Sequence, residues 1–225
     1  MIKIIFFDAA GTLFHLPRGV GWHYQDVGRR FGCALDTETL SCAFRAVWSE
    51  MPSRPPLRQP RPNDDKDWWF TLVERVLERC DISAQQLDRH AYFEKLYAEF
   101  TQPNVWELFP EVREVLTALR PHFRFALISN FDGRLRPILS HLGLSGWFDP
   151  IVISSEAGAD KPDAWIFQHA LTLAGATAAE ALHVGDDPRC DWEGAAAAGL
   201  HVFPLQRPAN SLRDLAARLT IPTAS

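Results

Sequence analysis

Residues 2–14 read IKIIFFDAAGTLF. The opening run of β-branched and aromatic residues carries no polar alternation, the pattern of a strand buried on both faces, as in a parallel sheet. It ends abruptly in Asp8, followed by a glycine-containing turn. Short apolar runs of the same kind recur at 123–128, Ile151–Ile153, 181–184 and 200–203. Helical periodicity fills the gaps between them. Val112, Val115, Leu116 and Leu119 follow an i, i+3, i+4, i+7 pattern behind Pro110, which suits a first helical turn. Leu135, Ile138, Leu139 and Leu142 repeat it, and Gly143 is a natural stop. A further helix is predicted over 162–174, ended by Gly175, and an alanine-rich one ends at Gly199. Strands alternating with helices of this length predict right-handed βαβ units and an α/β fold with a doubly wound parallel sheet.

The alternation breaks once. Between Phe14 and Asn104 only helical patterning is found, best seen in Trp69, Leu72, Val73, Val76, Leu77 and Cys80, with a second face in Leu87, Leu96, Tyr97 and Phe100. The expected organisation is a core from 1–14 and 105–225 with an all-helical insertion at 15–104. Residues 51–62 (MPSRPPLRQPRP) hold five prolines and three arginines and read as an exposed stiff loop between insertion helices. Asp64, Asp65 and Asp67 read as the acidic first turn of the next helix. Trp68, Trp69 and Phe70 read as insertion core.

Composition removes several classes of function. The 225 residues are 47% hydrophobic and 23% charged, so the chain is not built to stay disordered. A net charge of −5 offers no basic footprint for nucleic acid. No apolar run approaches the ~18 residues of a membrane span, and the first run is too short for a secretory leader. Cys33, Cys42, Cys80 and Cys190 show no CxxC spacing and read as reduced thiols of a cytoplasmic protein.

In an open parallel sheet, ligands bind beyond the carboxyl ends of the strands. That rule collects Asp8 after the first strand, Ser129 and Asn130 after the second, Lys161 after the third, and Asp186, Asp187 and Asp191 after the fourth. Several carboxylates against one lysine would repel and raise one another's pKa values. A divalent cation relieves this, and an all-oxygen donor set with few carboxylates suits Mg²⁺. Mg²⁺ beside a hydroxyl and a lysine is a receptor for a phosphate dianion, with a carboxylate available as nucleophile.

The segments FFDAAGTLF, FALISNFD, SSEAGADKPDAWIF and GDD-x-x-x-D, in that order and each at a strand end, resemble the four motifs of the haloacid dehalogenase (HAD) superfamily. The helical insertion is similar to that superfamily's C1 cap. SNFDGRL resembles a branch named after a rhythmically expressed gene and close to the L-2-haloacid dehalogenases. The resemblance implies that Asp8 is the nucleophile, oriented by Thr12, and that Ser129, Asn130 and Lys161 bind the transferring group. It implies a metal held by Asp8, Asp186 and the backbone oxygen of Ala10. Asp187 and Asp191 would orient Lys161 and metal-bound water or serve as alternate ligands.

One position departs from that pattern. HAD phosphatases carry a second Asp in motif one, which protonates the leaving group and later activates water; here that position is Ala10. Such proton transfer is worth roughly 10²–10⁴ in rate. Three readings follow. The first is a Mg²⁺-dependent phosphatase acting on a small phosphorylated metabolite, either with a substitute base, for which His15 is a candidate or else only a hinge residue, or with substrates whose leaving groups need little protonation. The second is a C–halogen or C–P hydrolase. Against it, haloacid dehalogenases carry Tyr at position 10 and lack the full acidic cluster. Phosphonatases share the Ala but need a cap lysine, for which only Lys66 and Lys95 are on offer. The third is a phosphate-binding or regulatory protein. Arg45 is a candidate contact for an anionic substrate or part of a solvated helix face, Cys190 reads as packing, and the protein is expected as a monomer or homodimer.

Overall fold

Four successive apolar residues, Ile4–Phe7, form the central strand of a five-stranded parallel sheet, and every one of them is buried. A computed structural model describes residues 1–33, 35–82 and 87–219. Along the chain come β1 (Ile4–Phe7), β2 (Phe14–His15), α1 (Gly19–Arg30), α2 (Thr37–Glu50), α3 (Lys66–Arg79) and α4 (Arg89–Glu99). They are followed by β3 (Glu107–Leu108), α5 (Val112–Leu119), β4 (Arg124–Ser129), α6 (Leu135–His141) and β5 (Ile151–Ile153). The last part holds α7 (Ser154–Ala157), α8 (Ala164–Ala174), β6 (Ala181–Gly185), α9 (Gly194–Ala197), β7 (His201–Pro204) and α10 (Leu212–Arg218).

The described residues fall into two compact units. The first comprises Met1–His15, Pro55–Arg61 and everything described from Leu108 onward. Its sheet has the order β5-β4-β1-β6-β7. Phe6 pairs with Ala126 of β4 on one side and His183 of β6 on the other. The chain steps outward from β1 through β4 to β5, then returns to the far side of β1 to lay down β6 and β7. The order therefore reverses between β1 and β6, the place where open α/β sheets hold ligands. One face of the sheet packs Ile4, Phe6, Ile128, Val152, Ile166 and Phe167 into a continuous core. On the other, Phe7 meets Phe125 and Phe148 edge-on, with ring centroids 5.5 and 6.0 Å apart.

The second unit comprises Leu16–Arg54 and Pro62–Glu107 and holds α1 to α4. Its core gathers Tyr24, Val27, Leu40, Leu72, Val76, Leu77, Tyr92 and Leu96, the apolar stripes of all four helices. Two N-caps start its helices where short acidic side chains allow. Asp36 accepts from the Thr39 amide and Asp88 from the Ala91 amide. The buried hydroxyl of Tyr92 donates to the Tyr24 carbonyl at 2.9 Å, which satisfies the polar end of an otherwise apolar side chain.

Three local expectations are refined. The alanine-rich segment begins as a π-helix, Pro188–Glu193, before α9. Residues 52, 53 and 55–60 are exposed as expected, but 55–61 group with the first unit and Arg61 is buried. Asp65 is not a solvated first-turn acid: it is buried and pairs with Arg54 at 3.1 Å. None of the described helices is long and apolar enough to cross a membrane.

The central strand should be the most sensitive part of the sheet. Phe6→Ala empties a site of 0% exposure and should cost about 3–5 kcal/mol, read as a lower urea midpoint with an unchanged slope. A loss below about 1 kcal/mol would mean the sheet face is not closed as described.

Candidate active site

The Asp8 amide extends the ladder of β1 by donating to the Val184 carbonyl at 2.8 Å, so its side chain emerges where the sheet ends. The turn that follows is tight. Leu13 donates to the Ala9 carbonyl and Gly11 to the Phe14 carbonyl, both at 2.8 Å. The bridge between Ala10 and Phe14 is thus made by the oxygen of Ala9 and the amide of Gly11, and it leaves the Ala10 carbonyl out. Gly11 sits at φ +92, and a Cβ there would meet Asp186 Oδ2 at 2.4 Å. Only glycine suits both the backbone and the space. Gly185, at the end of β6, plays the same part for Asp191, whose Cγ would lie 2.2 Å from a Cβ.

Around this opening stand three carboxylates, Asp8, Asp186 and Asp191, with one oxygen of each within 4.8 Å of the others. One ammonium group serves them. Lys161 Nζ donates to Asp8 Oδ1 at 2.7 Å and to Asp191 Oδ1 at 2.5 Å, and it is almost wholly buried. Asn130 fixes the lysine's main chain in both directions. Its Oδ1 accepts from the Lys161 amide at 2.7 Å, and its Nδ2 donates to the Lys161 carbonyl at 2.9 Å. Behind Asp191 lies His183, 0% exposed in the middle of β6, with Nε2 2.8 Å from Asp191 Oδ1. The other Asp191 oxygen accepts from the Asp187 amide at 3.1 Å.

The charges follow from this arrangement. Burial pushes Asp8 up to about 7; Lys161 pulls the other way, while the charges of Asp191 and Asp186 add to the rise. Burial also works against the charged forms of Asp191 and Lys161. Lys161 and His183 nevertheless hold Asp191 well below the ordinary range, and Asp8 and Asp191 hold Lys161 above its own. Asp186, exposed at the mouth of the site, is raised by partial desolvation of its carboxylate and by Asp191, against the Thr12 hydrogen bond. Burial lowers His183 while Asp191 pulls the other way, and its Nε2 faces the Asp191 carboxylate. The surplus of negative charge therefore falls on Asp8 and Asp186.

The family model for haloacid dehalogenase-like hydrolases matches residues 2–199. This chain belongs to that family. It is 33% identical over 210 residues to haloacid dehalogenase-like hydrolase domain-containing protein 3 of Homo sapiens, covering 92% of this chain and 83% of that protein. It is 28% identical over 210 residues to the rhythmically expressed gene 2 protein of Drosophila melanogaster, covering 88% and 81%. Among solved structures, the defluorinating L-2-haloacid dehalogenase Rha0230 superposes with a TM-score of 0.80 at 19% identity, over 97% of this chain and 95% of that one. The fold is accordingly that of the HAD hydrolases.

Within this hydrolase several side chains stand elsewhere than the sequence suggests. The Thr12 hydroxyl donates to Asp186 Oδ1 at 3.1 Å, not to Asp8. Asn130 is occupied in clamping Lys161. Asp187 turns away to accept from the Arg189 and Cys190 amides, capping the π-helix. His15 stacks on Phe109 with centroids 4.6 Å apart. Arg45 lies on an exposed helix face beside Cys42 and Glu38. Burial drives the Cys190 thiol up to about 12, with Asp187 adding to it, so a thiolate is disfavoured. Ser129 lies where expected, buried at the end of β4.

Two supporting residues escape sequence reasoning. His183 was hidden in an apolar strand, although a lone polar residue in a doubly buried strand demands a partner, and Asp191 lies eight residues on. Arg207 spans the back of the motif-one turn. It donates to Glu111 at 2.5 Å and to the Thr12 carbonyl at 3.2 Å, with its guanidinium 3.7 Å from the Phe109 ring centroid.

Asp8 makes the site's charge surplus measurable. Its folded value of about 7 lies above the ordinary 3.8, so the native state holds this proton more tightly than the unfolded chain. That stabilisation is complete below about pH 4 and is lost as pH rises through about 7. In chelator-treated protein, the parent should therefore lose stability relative to Asp8→Asn between about pH 5 and about pH 8. Urea midpoints measured across that range test this, and parallel curves for the two proteins would refute it.

Proposed function

We propose that this hydrolase is a Mg²⁺-dependent phosphatase that acts on a small phosphorylated metabolite through an aspartyl-phosphate on Asp8. The observation that carries the reading is the clustering of three carboxylates within 4.8 Å around one lysine. A site for a halide-bearing carboxylic acid has no use for that surplus of negative charge. A hard dication followed by a phosphate dianion does.

The donor set fits Mg²⁺. Asp8 and Asp186 carry the excess charge, and the Ala10 carbonyl is left out of its own bridge. Asp191 is a poorer ligand, because one oxygen serves Lys161 and His183 and the other the Asp187 amide. The ion would supply positive charge that keeps Asp8 ionised and offsets the charge of the phosphoryl group.

The chain's own residues then divide the work. An Asp8 carboxylate oxygen attacks phosphorus, and the bond from phosphorus to the ester oxygen breaks. Lys161, already ionised and aimed by Asn130, holds the charge on the transferring group, and the Ser129 hydroxyl donates to it. With Ala10 at the usual acid position, the departing oxygen takes its proton from water, so leaving groups of low basicity are favoured. Water then attacks phosphorus, the bond to Asp8 breaks, phosphate departs and the carboxylate is restored. His15, stacked on Phe109, is not given the missing acid's role.

The test is a screen of phosphate monoesters, acyl phosphates and 2-haloacids, each with and without Mg²⁺. Phosphate release that needs Mg²⁺ and vanishes in Asp8→Asn is expected. Mg²⁺ should also raise the melting temperature of the parent, and Asp186→Asn should lose most of that rise. Halide release without metal would replace this reading with C–halogen hydrolysis. Phosphate binding without turnover of any compound would replace it with a binding role.

The departure at position 10 has its own consequence. Ala10→Asp should raise turnover of alkyl phosphates by ~10²-fold and of acidic aryl phosphates by less, since only the former need a proton to leave. An equal gain for both would mean that the change acts on folding or metal affinity.

A further inference from the structure

We propose that Arg61, from the proline-rich stretch within the helical insertion, is a positioning residue for Lys161 and acts through Asp160. The inference rests on Lys161 as the group that holds the transferring phosphoryl.

The lysine must place one nitrogen against two carboxylates at 2.7 and 2.5 Å, so small displacements of its backbone matter. Asn130 restrains that backbone from the side of β4. The loop that leads to the lysine is α7 followed by Gly158, Ala159 and Asp160, whose carbonyl accepts from the Asp163 amide at 2.9 Å. Residues 55–61 are laid along this loop. The Arg58 amide donates to the Gly158 carbonyl at 3.1 Å and the Arg61 amide to the Ser155 carbonyl at 2.8 Å. Gly158 has φ +71, and a Cβ there would meet the Gln59 carbonyl oxygen at 2.0 Å, so two backbones run in direct contact.

The guanidinium of Arg61 then closes on Asp160 with two bonds, 3.1 Å to Oδ1 and 3.0 Å to Oδ2. The Arg61 side chain is 4% exposed and that of Asp160 18%. A two-point bond between a planar fork and a carboxylate fixes orientation as well as distance, which a single contact does not. Asp160 is the residue immediately before Lys161. Its orientation therefore sets the direction in which the lysine leaves the loop. A second ion pair, Arg54 with Asp65 at 3.1 Å, joins the residues that flank the stretch. It shortens the effective loop and reduces the entropy lost when 55–61 is ordered.

A purely structural staple would affect stability alone, so the test reads phosphate. Inorganic phosphate is titrated calorimetrically in the presence of Mg²⁺ into the parent, Arg61→Met, Arg61→Lys and Asp160→Asn. Where the screen yields a substrate, kcat and KM are measured in parallel. Arg61→Met should weaken phosphate binding or lower kcat by about tenfold. Arg61→Lys, which keeps the charge but not the fork, should recover part of the loss. In a Lys161→Met background, Arg61→Met should cause no further loss of phosphate affinity.

Should Arg61→Met not fold, Asp160→Asn read against the same background decides the matter. A lower melting temperature with unchanged phosphate affinity and kcat would reduce Arg61 to a staple. An equal loss in the Lys161→Met background would show that it acts by another route. A parent that turns over no ester but binds phosphate overturns the phosphatase reading while leaving this inference testable. A parent that binds no phosphate at all overturns both.

Discussion

Lys161 Nζ lies between Asp8 and Asp191 at 2.7 and 2.5 Å, almost fully removed from water. Three charges buried together are stable only while each keeps its partners, and removing one member of such a group costs roughly 3–5 kcal/mol. Much of the surrounding structure reads as the means of keeping them. His183 and the Asp187 amide complete the hydrogen bonding of Asp191. Asn130 holds the lysine's main chain. Gly11 and Gly185 give up their side chains so that Asp186 and Asp191 can approach. The sheet order puts Asp8 and Asp186 at the ends of neighbouring strands, where the chain reverses direction across the sheet. The fold and the site thus answer one constraint: a cation must be delivered by a loop to a point defined by two strand ends.

Sequence pattern is informative wherever that constraint is local. The strands buried on both faces, β1 and most of β4 and β6, leave little choice but apolar residues, and the partly exposed β5 and β7 still show as short apolar runs. Their ends are visible too, because polar residues appear as soon as the backbone leaves the sheet. Asp8, Ser129 and Asp186 are found in this way, whereas Lys161 follows β5 only after α7 and a short loop. The direction in which a loop side chain turns is another matter. Thr12 faces Asp186, Asn130 faces the Lys161 backbone, and Asp187 faces the amides behind it. Each choice depends on turn geometry and on competing donors one or two residues away, which residue type does not encode.

In the stretch 51–62, exposed through most of its length as its composition suggests, the burial of Arg61 is missed for a different reason. Proline and arginine are surface residues in most settings, and five of one with three of the other read as a solvated spacer. Burial of Arg61 depends on a carboxylate 99 residues further on, presented by a loop whose glycine admits a neighbouring backbone. Neither half of that contact is unusual alone. Long-range ion pairs between loops leave no periodic trace, and only the oddity of an Arg-Gln-Pro-Arg run inside a helical insertion marks the place.

Position 10 shows how charge and catalysis are linked. Asp8 is already pushed up to about 7 by burial and by two neighbouring carboxylates, with one lysine to compensate. A further carboxyl on the adjoining turn would add to a surplus that the protein alone cannot neutralise. Alanine brings no such carboxyl, and so it leaves the charge on this turn to Asp8 alone. The turn geometry is independent of that choice. It is set by Gly11, by the Phe14 bridge and by Arg207 on the Thr12 carbonyl. The bonds that hold the backbone of residue 10 thus come from its neighbours, while a side chain there would act on the acidic cluster through its charge.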